Sequence, residues 1–569
     1  MLDPHIESIE TALQAQMAGL WQRLDPSEID NINKRVPLRA STIWKISLPN
    51  GFVTCPNVNF LLIVIDAEFP LSQPRVLAPE AFLDFTWPHV EAGGLLCLKA
   101  TSTNGDSGQR IMKHIIWARE LLSLPEKSHR QEFEREFSSY WLHKASISSS
   151  ICTSVISLLA PNAKSRVIVW FHDTRNTRVI VADDTVSLML WLKNAGINPS
   201  EKEIHASWLE WLPRPWIPSE FPENGRSVLD YIPIKFTDAK LRPGKLFPVI
   251  FGAETVSGVV FVATLLQGVS EAKLVKGFRN ISKVPKNIIR NSFLGQTALR
   301  YPVDRVDGAW IHGRDHDTMY PFISKRKIAI IGCGALGGAI ARLLAESGIS
   351  NFVLVDHDFL TPPNVSRHVL GLEFIGMKKA AATALMLKRS FPHIKDTLAI
   401  EKKFEYLTPE QLNKLADYDV IVSCGISFEG DMKVDNWRQS QKTPPAHICC
   451  WTEEFAIVGH VIGLLGKDTL NKAFDNEQRV KFRLTDWPAE SGALIVEAGC
   501  GNVFQPHGAI DLQATISLAA GLALDVICNK LVQSTRRVWL GNKEEVTKRG
   551  GNLLSTFTDS LCVKEYPWS

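Results

Sequence analysis

Gly332, Gly334 and Gly337 stand in G-x-G-x-x-G spacing, and Asp356, Asp358, Asn364, Arg367 and Lys379 follow within one short stretch. These residue types suit phosphate chemistry. The first glycine allows a tight turn, the second lets backbone N–H groups approach a phosphate, and the third lets a helix pack on a strand. Asp356 lies about 20 residues beyond the last glycine, where a ribose-binding acid belongs. That much fits NAD or ATP equally. A nicotinamide site has no need of Asp358, Asn364, Arg367 and Lys379 just after the ribose acid. Two cations converging on a triphosphate suit nucleotidyl transfer, where charge develops on the phosphates. No Walker A lysine motif is present. Elsewhere, Cys97 stands in "GGLLCLKA", and Cys500 in "EAGCGNVF" lies between two glycines that leave room for an acyl donor.

The elements around these residues are legible. Ile328 to Ile331 is a short β-branched run that predicts a buried strand, Leu336 to Glu346 a helix, and Phe352 to Val355 the next strand, ending at Asp356. The helix N-terminus favours anions. An apolar run from Leu512 to Leu524 has helical spacing, and a cysteine just ahead of a helix gains thiolate character. At the other end, Asp3 predicts a cap for a helix carrying Ile6, Ile9, Leu13, Met17 and Leu20. Strand-like runs follow in "TIWKISL", "FLLIVIDAEF" and "RVLAP", then a helical pattern in "RIMKHIIWARELLSL". Between the two ends, "SRVIVWFH" and "TRVIVADD" predict a hairpin, and "FPVIFGAE" and "GVVFVATLLQ" predict buried strands.

The stretch "GCGALGG…VDHDFLTPPNVSRHVLG…GMKKA" resembles the adenylating domain of the ubiquitin-activating family, whose bacterial relatives activate sulfur carriers. The resemblance implies that Asp356 binds the ribose of ATP and that Asp358, Asn364, Arg367 and Lys379 surround its phosphates. It implies that Mg²⁺ accompanies the nucleotide. The family's metal-binding Asp, in a motif like D-x-V-x-D-C-T-D, is replaced in "YDVIVSCGIS" by Ile426, so the metal ligands are not assigned; Asp358 is one candidate. The segment "FPLSQPRVLAPEAFLDFTWPHVEAGGLLCLKA" resembles ubiquitin-conjugating enzymes. Cys97 takes the thioester position, and Trp87-Pro88-His89 replaces His-Pro-Asn. That substitution makes His89 a candidate oxyanion donor. Cys500 is the candidate first acceptor thiol, with Cys424, Cys449 and Cys450 as rivals.

The expected fold class is therefore α/β. An N-terminal α+β ubiquitin-conjugating-like domain spans 1–145, a middle α/β linker domain 146–309, and a C-terminal Rossmann-like adenylating domain 310–569. This order resembles the fused enzymes of bacterial CBASS antiphage operons. The resemblance implies ATP-dependent adenylation of a protein's C-terminal carboxylate, relay through two thioesters and conjugation to an amine-bearing target. It names a cyclic-nucleotide synthase or ubiquitin-like protein as the partner and a homodimer as the assembly. A sulfur-carrier activating enzyme, an NAD-dependent oxidoreductase and a non-catalytic scaffold are the other readings. Composition bounds the rest. A formal charge of +3 over 569 residues argues against binding nucleic acid or membrane by bulk charge. The N-terminus reads as no signal peptide, and the ten cysteines without a C-x-x-C pair read as reduced thiols, so a cytoplasmic location is expected.

Overall fold

The computed structural model describes residues 3–35, 39–79, 87–91, 93–142, 151–475, 480–496, 503–554 and 559–568. Asp3 caps the first helix, Pro4–Gln16, by accepting the His5 N–H at 2.9 Å. An antiparallel sheet follows, built in order from Trp21–Arg23, Ala40–Ser47, Phe60–Asp66 and Arg75–Leu77. The first helix and Ser107–Leu122 share one apolar cluster with this sheet through Ile9, Leu13, Trp44, Ile63 and Ile115. The two helices cross closely at Gly108, where a Cβ would meet the Ser8 carbonyl oxygen at 2.6 Å.

Two short helices, Glu126–Arg135 and Phe137–Trp141, come next and belong to a different cluster. Phe133, Phe137, Tyr140 and Trp141 pack with Val249, Phe251 and Leu266 from the middle of the chain. Burying Phe137 alone contributes roughly 2–3 kcal/mol of apolar stabilisation. The Trp141 indole donates to the Ala263 carbonyl at 3.3 Å, and Arg130 reaches both Glu220 carboxylate oxygens at 2.9 Å.

The middle segment, expected as an α/β linker domain, mixes helices with strands that close on themselves. The predicted hairpin is present as Arg166–Asp173 against Arg178–Ala182, and the two apolar runs pair as Leu246–Thr255 against Gly258–Gln267. These four strands join Ser154–Ser157, His205–Trp211 and Leu299–Arg305 in a closed seven-stranded barrel. Closure depends on parallel pairings between strands distant in sequence, such as His205–Trp211 with Leu246–Thr255, which local alternation does not encode.

The last segment is an eight-stranded sheet. Asp396–Ile400, Asn351–Val355, Lys327–Ile331, Val420–Cys424 and Ala446–Thr452 run parallel; Val458–Leu464, Thr535–Leu540 and Cys562–Pro567 continue it antiparallel. Helices Ala335–Glu346, Lys379–Ser390 and Ala509–Ile527 pack in one apolar cluster with it. By length and composition Ala509–Ile527 is apolar enough to cross a membrane. In this fold Leu512, Ile516, Ala519 and Ala523 are buried against the sheet.

The three glycines of the turn have separable tasks. A Cβ on Gly337 would lie 1.8 Å from the Gly332 carbonyl oxygen, whereas nothing lies within 4 Å of one on Gly334. Gly337→Ala is therefore expected to destabilise the fold by about 1–3 kcal/mol, and Gly334→Ala by less than about 0.5 kcal/mol. Chemical denaturation measures both; equal losses would contradict this division.

Candidate active sites

The Lys327–Ile331 strand lies between Asn351–Val355 and Val420–Cys424. Its neighbours are reached by connections on opposite sides, which opens a crevice at the strand ends. A cavity of about 520 Å³ occupies that place, walled by Gly332, Gly334, Asp356, Asp358, Arg367 and Lys379 together with Lys402, Lys403, Trp451, Gln505 and His507. Asp356 is held from both sides: its carboxylate accepts the Cys333 N–H at 2.7 Å and the Asp358 N–H at 2.8 Å. Burial nevertheless raises its pKa above the usual carboxylate range. Lys379 Nζ reaches Asp358 at 3.1 Å. Arg367 donates to the Pro363 carbonyl at 3.0 Å.

Two candidates sit elsewhere. Gly337 is a packing residue at the turn, as its crowded Cβ direction requires. Asn364 is not in the cavity wall; its side-chain oxygen accepts the N–H and hydroxyl of Thr361 at 3.1 and 3.0 Å and so shapes the turn that presents Arg367. Ile426 lines the cavity and offers no ligand atom. Ligand atoms of Asp356, His357 and Asp358 do lie within 4.8 Å of one another. Their two carboxylates are hard donors that suit Mg²⁺, which is commonly held by one or two carboxylates and substrate phosphates.

His368, next to Arg367, escaped the motif-based reading. Its Nε2 donates to the Cys333 carbonyl at 2.7 Å, and its Nδ1 accepts the Leu370 N–H at 3.1 Å. One donor and one acceptor define a neutral ring. Burial accordingly pushes its pKa down to about 4. The imidazole ties the glycine turn to the segment carrying Arg367.

Cys97 lies at the other end of the chain and is the exposed thiol among the described cysteines. Its N–H donates to the His89 carbonyl at 2.9 Å. His89 has a left-handed backbone, φ 59°, which costs a non-glycine residue roughly 1–2 kcal/mol. Three contacts hold it there: the carbonyl bond to Cys97, the His89 N–H to the Tyr140 hydroxyl at 2.6 Å, and Nε2 to Glu132 at 3.1 Å. The imidazole expected to serve an oxyanion is thus engaged with a carboxylate. Gly94 is required by its φ of 78° and by the Ala78 carbonyl, 2.4 Å from a notional Cβ. The Cys97 thiol pKa is raised, first by partial burial and then by the carboxylates of Glu91 and Glu136. Glu91 lies within the motif segment itself, whereas Glu136 arrives from the junction of the two following helices.

Residues 317–504 match the ThiF family and residues 20–148 match prokaryotic E2 family B. One chain thus carries a segment similar to ThiF and a segment similar to the prokaryotic E2 family. Among its relatives is the ATP-dependent ubiquitin transferase-like protein Cap2 of Escherichia coli strain TW11681, 23% identical over 62% of this chain and 65% of that protein. A Vibrio cholerae protein of the same name is 35% identical over 18% of this chain and 17% of its own length. The molybdopterin-synthase adenylyltransferase of Haemophilus influenzae is 29% identical over 21% and 48%. The chain thus spans less than two-thirds of the length of each. A solved structure of E. coli MccB with ATP aligns with 44% of this chain and 65% of that one at 18% identity, TM-score 0.29.

Within the ThiF segment, Cys424, Cys449 and Cys450 are buried strand residues. Burial raises the Cys449 pKa well above the ordinary thiol value; for Cys424 the bonded Cys450 thiol is the first cause and burial the second. Cys500 lies outside the described residues. His368 supplies a pH test. Its folded pKa is depressed, so the unfolded chain binds more protons between about pH 6.5 and 4, and stability is lost as pH falls through that window. His393, also lowered to about 4 by burial, acts in the same direction. His368→Gln keeps a donor for Cys333 but cannot titrate, so a shallower fall in denaturation midpoint between pH 6.5 and 4 is expected; an unchanged slope would contradict the assignment.

Proposed function

We propose that the chain adenylates the C-terminal carboxylate of a protein with ATP and conjugates the acyl group to an amine. One observation carries the reading: a cavity gathering the glycine turn, Asp356, Arg367 and Lys379 shares a chain with an exposed cysteine in an E2 segment. Asp356 binds the ribose. Arg367 and Lys379 stabilise charge while the carboxylate oxygen attacks the α-phosphorus and the bond to pyrophosphate breaks. Mg²⁺, when bound, neutralises phosphate charge, and Asp358 is the carboxylate that would hold it.

The Cys500 thiolate then attacks the acyl carbon and AMP leaves. The Cys97 thiolate takes the acyl group from Cys500 by exchange, releasing the Cys500 thiolate. The acceptor amine, a lysine side chain, attacks that thioester, loses a proton and frees the Cys97 thiol. Residues 1–145 conjugate, 146–309 link and 310–569 adenylate. The activated protein is a cyclic-nucleotide synthase in antiphage defence, the enzyme is a cytoplasmic homodimer, and its contacts are with proteins rather than membrane or nucleic acid.

ATP–pyrophosphate exchange dependent on the carboxylate substrate tests the first step. Arg367→Ala and Lys379→Ala are each expected to lower it by about 10²-fold or more, and Cys500→Ala to leave it intact because adenylation precedes thiol attack. Wild-type exchange in both cation variants would refute the phosphate assignment.

A further inference from the structure

The Cys97 loop is closed by side chains from outside its own sheet. Glu132, Glu136 and Tyr140 lie on the helices Glu126–Arg135 and Phe137–Trp141 or at their junction, and those helices are packed into the barrel cluster through Phe133, Phe137 and Trp141. A chain of two hydrogen bonds runs from barrel to nucleophile: His89 N–H to Tyr140 Oη at 2.6 Å, then Cys97 N–H to His89 carbonyl at 2.9 Å. The residue between them is in the left-handed region, where histidine needs external support. Tyr140 is itself buried, and burial, as the first cause, pushes its pKa up to about 12, so it stays a neutral hydroxyl through the working range.

We propose that Tyr140 is a positioning residue for the Cys97 thiol: its hydroxyl accepts the His89 N–H, holds His89 left-handed and so fixes the carbonyl that receives the Cys97 N–H. The proposal rests on the reading of Cys97 as an acyl acceptor, and it makes the barrel a structural part of the conjugating site. Glu132 acts at the far side of the same residue by holding the His89 ring. Arg135 in turn reaches Glu132 at 2.8 Å.

Two measurements on the full chain test this. The first is the pH profile of Cys97 alkylation by iodoacetamide, followed by peptide mass spectrometry; it needs neither ATP nor an acyl donor. The second loads Cys97 from a glycine-ended peptide thioester and follows discharge onto free lysine. Tyr140→Phe is expected to slow discharge at saturating lysine about tenfold, the cost of orphaning a buried donor, with the KM for lysine changed less than about twofold. Its alkylation midpoint is expected to move toward that of an ordinary thiol as the loop loosens. Glu132→Ala should act in the same direction, and Glu132→Gln, whose amide oxygen still accepts, should restore wild-type behaviour. Wild-type discharge and alkylation in Tyr140→Phe would overturn the proposal. Should that variant not fold, identical behaviour of wild type, Glu132→Ala and Glu132→Gln would overturn it instead. If wild-type Cys97 accepts no acyl group from the peptide thioester, the conjugating reading fails, while the alkylation profiles still decide the role of Tyr140.

Discussion

The Cys424 carbonyl oxygen would lie 2.4 Å from a Cβ on Gly332, and that one close approach governs the nucleotide cavity. It brings the end of the Lys327–Ile331 strand against the end of Val420–Cys424, with Asn351–Val355 on the other side. Only glycine satisfies both the crowding and the positive φ of 89°. Once the turn is set, the Cys333 N–H meets the Asp356 carboxylate and the Cys333 carbonyl meets His368. Both anchors orient the wall that carries Asp358, Arg367 and Lys379.

The surroundings of the cavity and of Cys97 differ in charge. The nucleotide cavity has Arg367, Lys379, Lys402 and Lys403 in its wall, as a site for phosphate charge requires. Around Cys97, partial burial first and then the carboxylates of Glu91 and Glu136 raise the thiol pKa. The helices packed into the barrel cluster bring Glu132, and Glu136 at their junction, to the Cys97 loop.

Local signals made much of the fold legible. The β-branched run at 328–331, the glycine turn, the Asp3 cap and the hairpin at 166–182 are each written in a few adjacent residues. Barrel closure was not legible, because it rests on pairings between strands far apart in sequence. At the sites, spacing located the cavity-lining glycines, acids and cations, whereas the bonds from Thr361 to the Asn364 side-chain oxygen were not written in the motif. Motif position likewise drew attention to the His89 imidazole, whereas its backbone conformation and Tyr140 partner are tertiary facts. His368 carried no motif; its place beside Arg367 was the one available hint.

The central claim is that one chain both activates a carboxylate and passes it to Cys97. Intact-protein and peptide mass spectrometry of the wild-type chain, incubated with its carboxylate-bearing protein with and without ATP, tests it most directly. The expected result is a thiol-sensitive adduct on Cys97 that requires ATP and is lost in Lys379→Ala. An adduct that forms equally without ATP, or ATP-dependent acylation that never reaches Cys97, would contradict the account.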